Sequence, residues 1–117
     1  MFKERKVTLV INAQEYEVIL EKSVAVDELL KLLPLKILMQ DLNNNEKYYY
    51  LNKPLPSEPG NVSRVEKGDI MLYNDNCLVV FYQSFITPYQ YTRLGRIIDP
   101  SSLAKNLKDK NIMVIIK

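Results

Sequence analysis

The chain has 117 residues, a formal net charge of +2, 47% hydrophobic and 26% charged residues, no histidine and one cysteine. Length and balance describe one globular domain over residues 1–117, large enough to bury its own core, and the charge offers a polyanion such as nucleic acid no electrostatic handle. The missing histidine removes Ser-His-Asp and Cys-His nucleophiles, histidine acid–base chemistry and the usual zinc and copper sites, while the lone Cys77 removes an internal disulfide and Cys-rich zinc motifs.

No run approaches the ~20 apolar residues of a membrane-spanning helix, and the charged start Met1–Lys6 lacks a signal-peptide core. The expectation is a soluble cytoplasmic protein with no membrane partner, the exception being a chain whose leader has been removed. Asn61-Val62-Ser63 matches a glycosylation triplet, read as chance without a secretory signal.

Val7, Leu9 and Ile11 alternate with their neighbours, as do Tyr16, Val18 and Leu20, and the polar Asn12–Glu15 between them predicts a hairpin. The period then lengthens: Val26, Leu29, Leu30 and Leu33 fall on one helical face, opened by Ser23 or Val24 and ended by Pro34. Leu35–Leu42 returns to strand, Asn43-Asn44-Asn45 turns, and Glu46–Leu51 carries three consecutive tyrosines. On a strand Tyr48 and Tyr50 share a face and Tyr49 opposes them, so the three rings make no single stacking platform.

Asn52–Lys67, with Pro54, Pro56, Pro59 and Gly60, has no periodicity and reads either as a functional flap or as a span across a barrel end. The central signal is Gly68–Gln83: two apolar runs around Asn74-Asp75-Asn76, residues that accept left-handed backbone angles at a hairpin tip. Leu78–Tyr82 is apolar throughout, which calls for a central strand covered on both faces. Cys77 at its start reads as a small core hydrophobe.

Ser84–Tyr91, aromatic and broken by Pro88, predicts a loop whose rings cover an opening. Thr92–Ile98 is the next strand, with Gly95 marking a bulge or a close approach by another backbone. Asp99-Pro100-Ser101-Ser102 opens a second helix burying Leu103, Ala104 and Leu107, and Ile112–Ile116 is the last strand. Eight strands with two short helices leave too few crossovers for a doubly wound sheet. The predicted class is mainly β: a closed eight-stranded barrel with two short α-helices capping its ends.

Leu32-Leu33-Pro34-Leu35, Asp41, Glu46-Lys47, Gly68-Asp69-Ile70 with Tyr73, Asn76 with Leu78–Tyr82, and Leu94-Gly95-Arg96-Ile97 follow one another in this order. Together, from Val7 to Lys117, they resemble the small bacterial cyclophilin-like proteins, which implies the cyclophilin-like barrel. Relatives often carry Pro-Trp-Gly ahead of the Asn-Leu pair, where this chain has Asn74-Asp75 and no tryptophan. The resemblance does not transfer prolyl isomerisation, because true cyclophilins use an arginine that hydrogen-bonds the prolyl nitrogen beside an apolar pocket. The third strand here offers Lys36 instead, and a compact ammonium does not replace a planar guanidinium.

No catalytic residue, metal site or cofactor is therefore expected. The leading expectation is a non-catalytic module for a small ligand or peptide, lined by Tyr73, Tyr82, Gln83, Phe85, Tyr91, Arg93 and Arg96. An arginine within a pocket would favour an anionic ligand. The alternatives are a divergent prolyl isomerase using Arg64 or Arg93, a carboxylate hydrolase drawing on Asp41, Glu46 or Asp69, and a tyrosine-faced scaffold or homo-oligomer.

Overall fold

The computed structural model describes residues 5–117, so the first part of the charged Met1–Lys6 segment lies outside the described residues. The strands are β1 (Arg5–Ile11), β2 (Gln14–Leu20), β3 (Leu35–Leu42), β4 (Glu46–Tyr50), β5 (Gly60–Asn61), β6 (Arg64–Val65), β7 (Asp69–Tyr73), β8 (Cys77–Phe81), β9 (Phe85–Ile86), β10 (Gln90–Ile97) and β11 (Asn111–Ile116). Helix α1 (Val24–Leu30) follows β2, and α2 (Leu103–Asn106) precedes β11. Eight strands form a closed antiparallel barrel in the order β2-β1-β11-β3-β4-β8-β7-β10, with β10 pairing back onto β2. Closure leaves the barrel no free edge. Among the described residues no helix is long and apolar enough to cross a membrane.

Alternation sorts the side chains into two clusters. Leu9, Val18, Ile37, Met39, Leu72, Leu78, Val80 and Leu94 fill the interior, and the helices add Val26, Leu29, Leu103 and Leu107 to the same cluster. Helix α1 joins the end of β2 to the start of β3, whereas α2 joins the end of β10 to the start of β11, so the two close opposite ends. The Ser23 hydroxyl caps α1 by accepting from the Val26 amide at 3.2 Å. Side-chain bonds tie α2 to the first hairpin: Tyr16 Oη lies 2.8 Å from Ser102 Oγ, and Asn106 Nδ2 donates to Gln14 Oε1 at 2.8 Å.

The second cluster lies on the outer wall, where Met71, Cys77, Val79 and Phe81 pack with Val65 and Tyr91. β8 is therefore covered on both faces between β4 and β7, as its unbroken apolar run requires. The covering comes from the two irregular stretches. β5 adds to β10, and β6 pairs with β9, so the Pro-rich segment is pinned to the aromatic loop rather than strandless.

Several boundaries move for local reasons. The first turn is Asn12-Ala13 alone, because both take left-handed angles (φ 50° and 64°), and Gln14 and Glu15 belong to β2. Helix α1 stops at Leu30 rather than at Pro34; the amides of Leu32 and Leu33 reach back only three residues, to Leu29 and Leu30. β10 starts at Gln90, two residues before Thr92, because β5 offers Gln90 and Tyr91 a partner. α2 starts at Leu103, after a turn over Pro100–Ser102.

Candidate functional site

The outer faces of β4 and β8 begin the site. Glu46, Tyr48 and Tyr50 alternate along one face of β4, opposite Phe81, Val79 and Cys77 of β8. The Tyr48 and Tyr50 rings meet edge to face with centroids 5.7 Å apart, while Tyr49 packs against the interior cluster. Across β8, Tyr73 contacts Tyr91 at 5.6 Å and Tyr89 at 6.0 Å, and Phe81 contacts Tyr91 at 5.5 Å and Phe85 at 5.8 Å. Between the β4 rings and this second array lies a cavity of about 550 Å³, floored by Cys77 and Val79 and bounded by Phe85–Tyr89 and the Leu42–Asn45 turn. Tyr50, Ile86 and Tyr89 stand exposed at its rim.

Tyr73, Phe85 and Tyr91, expected from the sequence, line this cavity. Tyr82 does not: strand parity turns it into the interior with Leu78 and Val80, where its hydroxyl donates to Asp41 Oδ1. Gln83 is exposed and lines neither this cavity nor the second one. Arg93 lines that second, smaller cavity of about 300 Å³ together with Glu21, Lys22 and Glu58. Arg96 is exposed and borders neither. A bulge between Arg93 and Gly95 shifts the register from Arg93–Met71 to Gly95–Ile70, which turns Arg93 and Arg96 to the same outer face. Arg64 of the flap pairs with Glu66 at 2.7 Å.

Three carboxyls were candidates for acid–base work, and two are committed to local structure. Asp69 Oδ2 accepts from the Glu66 amide at 2.8 Å, and Asp41 accepts from the Asn44 amide at 3.0 Å, from Lys47 and from Tyr82. Burial works to raise the Asp41 pKa, but these donors outweigh it and hold the carboxyl below its ordinary value.

Glu46 is the exception. It is 8% exposed, lines the cavity, and its side chain makes no hydrogen bond or ion pair among the described residues. Burial, aided by the nearby Asp41 charge, pushes its pKa up to about 7. Burial also pushes the Cys77 thiol up to about 11 and Tyr91 up to about 12, so both stay neutral at physiological pH. In the sequence Glu46 reads as a turn-flanking residue; its alternation with Tyr48 and Tyr50 was the available signal.

The raised Glu46 value predicts a stability profile. Between the ordinary carboxyl value of 4.5 and about 7 the folded carboxyl keeps a proton that the unfolded one releases, so stability falls as pH rises through that window. Glu46→Gln should abolish this loss. Urea midpoints of both proteins at about pH 5 and about pH 8 check it; a parent loss unaltered in the variant refutes the assignment.

Closed eight-stranded antiparallel topology with two helical plugs defines a barrel of the cyclophilin type. The chain belongs to the Cyclophilin-like family, whose family model matches residues 9–117. It is similar in fold to the solution structure of the hypothetical protein AF2241 from Archaeoglobus fulgidus, with a TM-score of 0.66 and 19% identity over 97% of this chain and 94% of that one. No curated protein matches the sequence.

Proposed function

We propose that the protein is a non-catalytic binding module that takes a small ligand or a short peptide segment in the outer-wall cavity. The observation that carries this reading is a preformed cleft of about 550 Å³ between two arrays of aromatic rings, with a single largely buried carboxyl beside them. Small-molecule sites have roughly this size, range ~300–1,000 Å³, and this mostly apolar lining with few polar groups. Rings at the rim supply contact area at little entropic cost because each has two side-chain torsions. The anionic ligand that an arginine in a pocket would favour belongs with Arg93 in the second cavity, where Glu21 and Glu58 oppose it.

Divergent prolyl isomerisation remains the competing reading. It needs a guanidinium beside the bound proline, and among the described residues no arginine lines the aromatic cavity. One NMR experiment separates the two. Ring resonances of Tyr48, Tyr50, Tyr73 and Phe85 are monitored against a general fragment library, and cis–trans exchange of an Ala-Ala-Pro-Phe peptide is measured with micromolar protein. Fragment-induced shifts at these rings without faster exchange are expected. Accelerated exchange would replace the binding module by the isomerase, and a library that leaves all four rings unmoved would remove the binding reading.

A further inference from the structure

The binding-module reading leaves the ligand's chemistry open, and the inference here rests on that reading. We infer that the outer-wall cavity recognises an organic ammonium group, held between the tyrosine rings of β4 and β7 and paired with the Glu46 carboxylate.

Three features of the cleft converge on a cation. First, its walls are ring faces and edges: Tyr48 and Tyr50 on one side, Tyr73 with Tyr89 and Tyr91 on the other. Aromatic faces carry negative quadrupole charge and attract ammonium groups, and several rings around one site make a cage. Second, Glu46 stands on the same strand face as Tyr48 and Tyr50, opens into the cavity, and has no donor of its own among the described residues. Its oxygens meet only the solvent of the cleft, so a cation bound there gives this largely buried carboxylate a partner. Third, no lysine or arginine lines the cleft among the described residues, so nothing on the protein already fills the cation's place.

Other ligand classes fit these features worse. An anion would face Glu46 with no compensating charge, and a neutral apolar group would seal the carboxyl from water without giving it a partner. The cleft is larger than an ammonium head, which leaves Ile86 and the exposed Tyr50 and Tyr89 to contact the rest of the ligand.

The charge state of the site is set by one group near neutrality. Phe81 of β8 faces Glu46, and the titratable groups that feel its charge from across the cleft, Cys77 of β8 and Tyr91 of β10, are both kept neutral by burial. Behind it, Asp41 is ionised and paired with Lys47, and the Tyr82 phenol is held neutral by burial and by its bond to Asp41. Glu46 itself ionises at about 7, so cation affinity should rise between about pH 6 and about pH 8.

The test is a calorimetric titration of the full chain with choline and with 3,3-dimethylbutan-1-ol, which has the same shape with carbon in place of the charged nitrogen. At about pH 8 choline should bind at least ~10-fold more tightly, an advantage that shrinks at about pH 6. Glu46→Gln should lower choline affinity ~10-fold and leave the alcohol unchanged, and Tyr50→Ala, which removes an exposed ring, should weaken choline without lowering the urea midpoint. N-acetyl-trimethyllysine methylamide is the third arm: tighter binding than choline assigns a lysine-bearing peptide as the source, weaker binding a free amine. Equal affinity for choline and the alcohol would overturn the ammonium inference while the cavity still binds. Fragment hits at the rings with no choline binding would overturn it too, whereas silence from fragments and choline alike would remove the binding module with it.

Discussion

Lys47→Ala is expected to cost about 3–5 kcal/mol of folding stability, the range for removing one partner from a buried ion pair. Lys47 has no exposed surface: β4 pairs it with Asp41 of β3 and Val80 of β8, and its stem runs into the barrel interior. Its ammonium lies 3.0 Å from Asp41 Oδ1, donates to the Asp109 carbonyl, and sits 5.6 Å from the centroid of the Tyr82 ring. Asp41 is also the acceptor for the Tyr82 hydroxyl, so one carboxylate collects two buried donors under the α2–β11 connection. Deleting the ammonium leaves Asp41 short of its cation and removes the donor that ties the Asp109 carbonyl to the barrel. Lys47→Met keeps most of the volume and should still cost about 3 kcal/mol, which separates charge loss from cavity formation. In a double-mutant cycle, Asp41→Asn combined with Lys47→Met should lose clearly less than the sum of the singles. Urea unfolding reads all of these; a Lys47→Met protein within ~0.5 kcal/mol of the parent would show that the network does not hold this end of the barrel.

The same network shows where the sequence was readable and where it stopped. The turns were plain, since Asn43, Asn44 and Asn74 take left-handed angles (φ 55°, 56° and 54°) that asparagine tolerates. The unbroken apolar run of β8 announced cover on both faces, and it has that cover. What period two cannot supply is which parity faces inward when both sets are apolar. Phe81 or Tyr82 could have been the outward ring, and only the neighbours of β8 decide it: Phe81 meets Phe85 and Tyr91 outside, and Tyr82 meets Asp41 inside. Glu46 escaped for a related reason. Its burial comes from β8, more than thirty residues along the chain, and from the Phe85–Tyr89 loop folding over the wall, neither of which leaves a mark on the Asn45–Lys47 sequence. A charge beside a turn ordinarily means a solvated strand end.

Gly95 is the reverse case, where one residue announced a close approach and the barrel's closure turns on it. The seam between β10 and β2 has three register pairs, Gly95–Leu20, Arg96–Ile19 and Ile97–Val18, extended by the Glu21 amide bonding the Leu94 carbonyl at 2.8 Å. The bulge just before it presses Gly95 onto β2. A Cβ built there would stand 2.5 Å from the Ile19 carbonyl oxygen and 3.2 Å from Leu20 Cα, and backbone atoms in a paired strand have little room to retreat. Gly95→Ala should therefore cost about 3 kcal/mol, the upper end of overpacking penalties, although alanine ordinarily suits a folded backbone better than glycine. Gly60 supplies the control, because a Cβ there meets nothing within 4 Å; Gly60→Ala should shift stability by no more than about 0.5 kcal/mol. Hydrogen exchange gives the strain a location. In Gly95→Ala the amides of Glu21 and Ile98, which bond the Leu94 and Glu17 carbonyls across the seam, should lose protection before those of β3 and β11 on the far side. Equal stability of the two alanine variants, or protection lost evenly around the barrel, would show that contact at this seam does not limit closure.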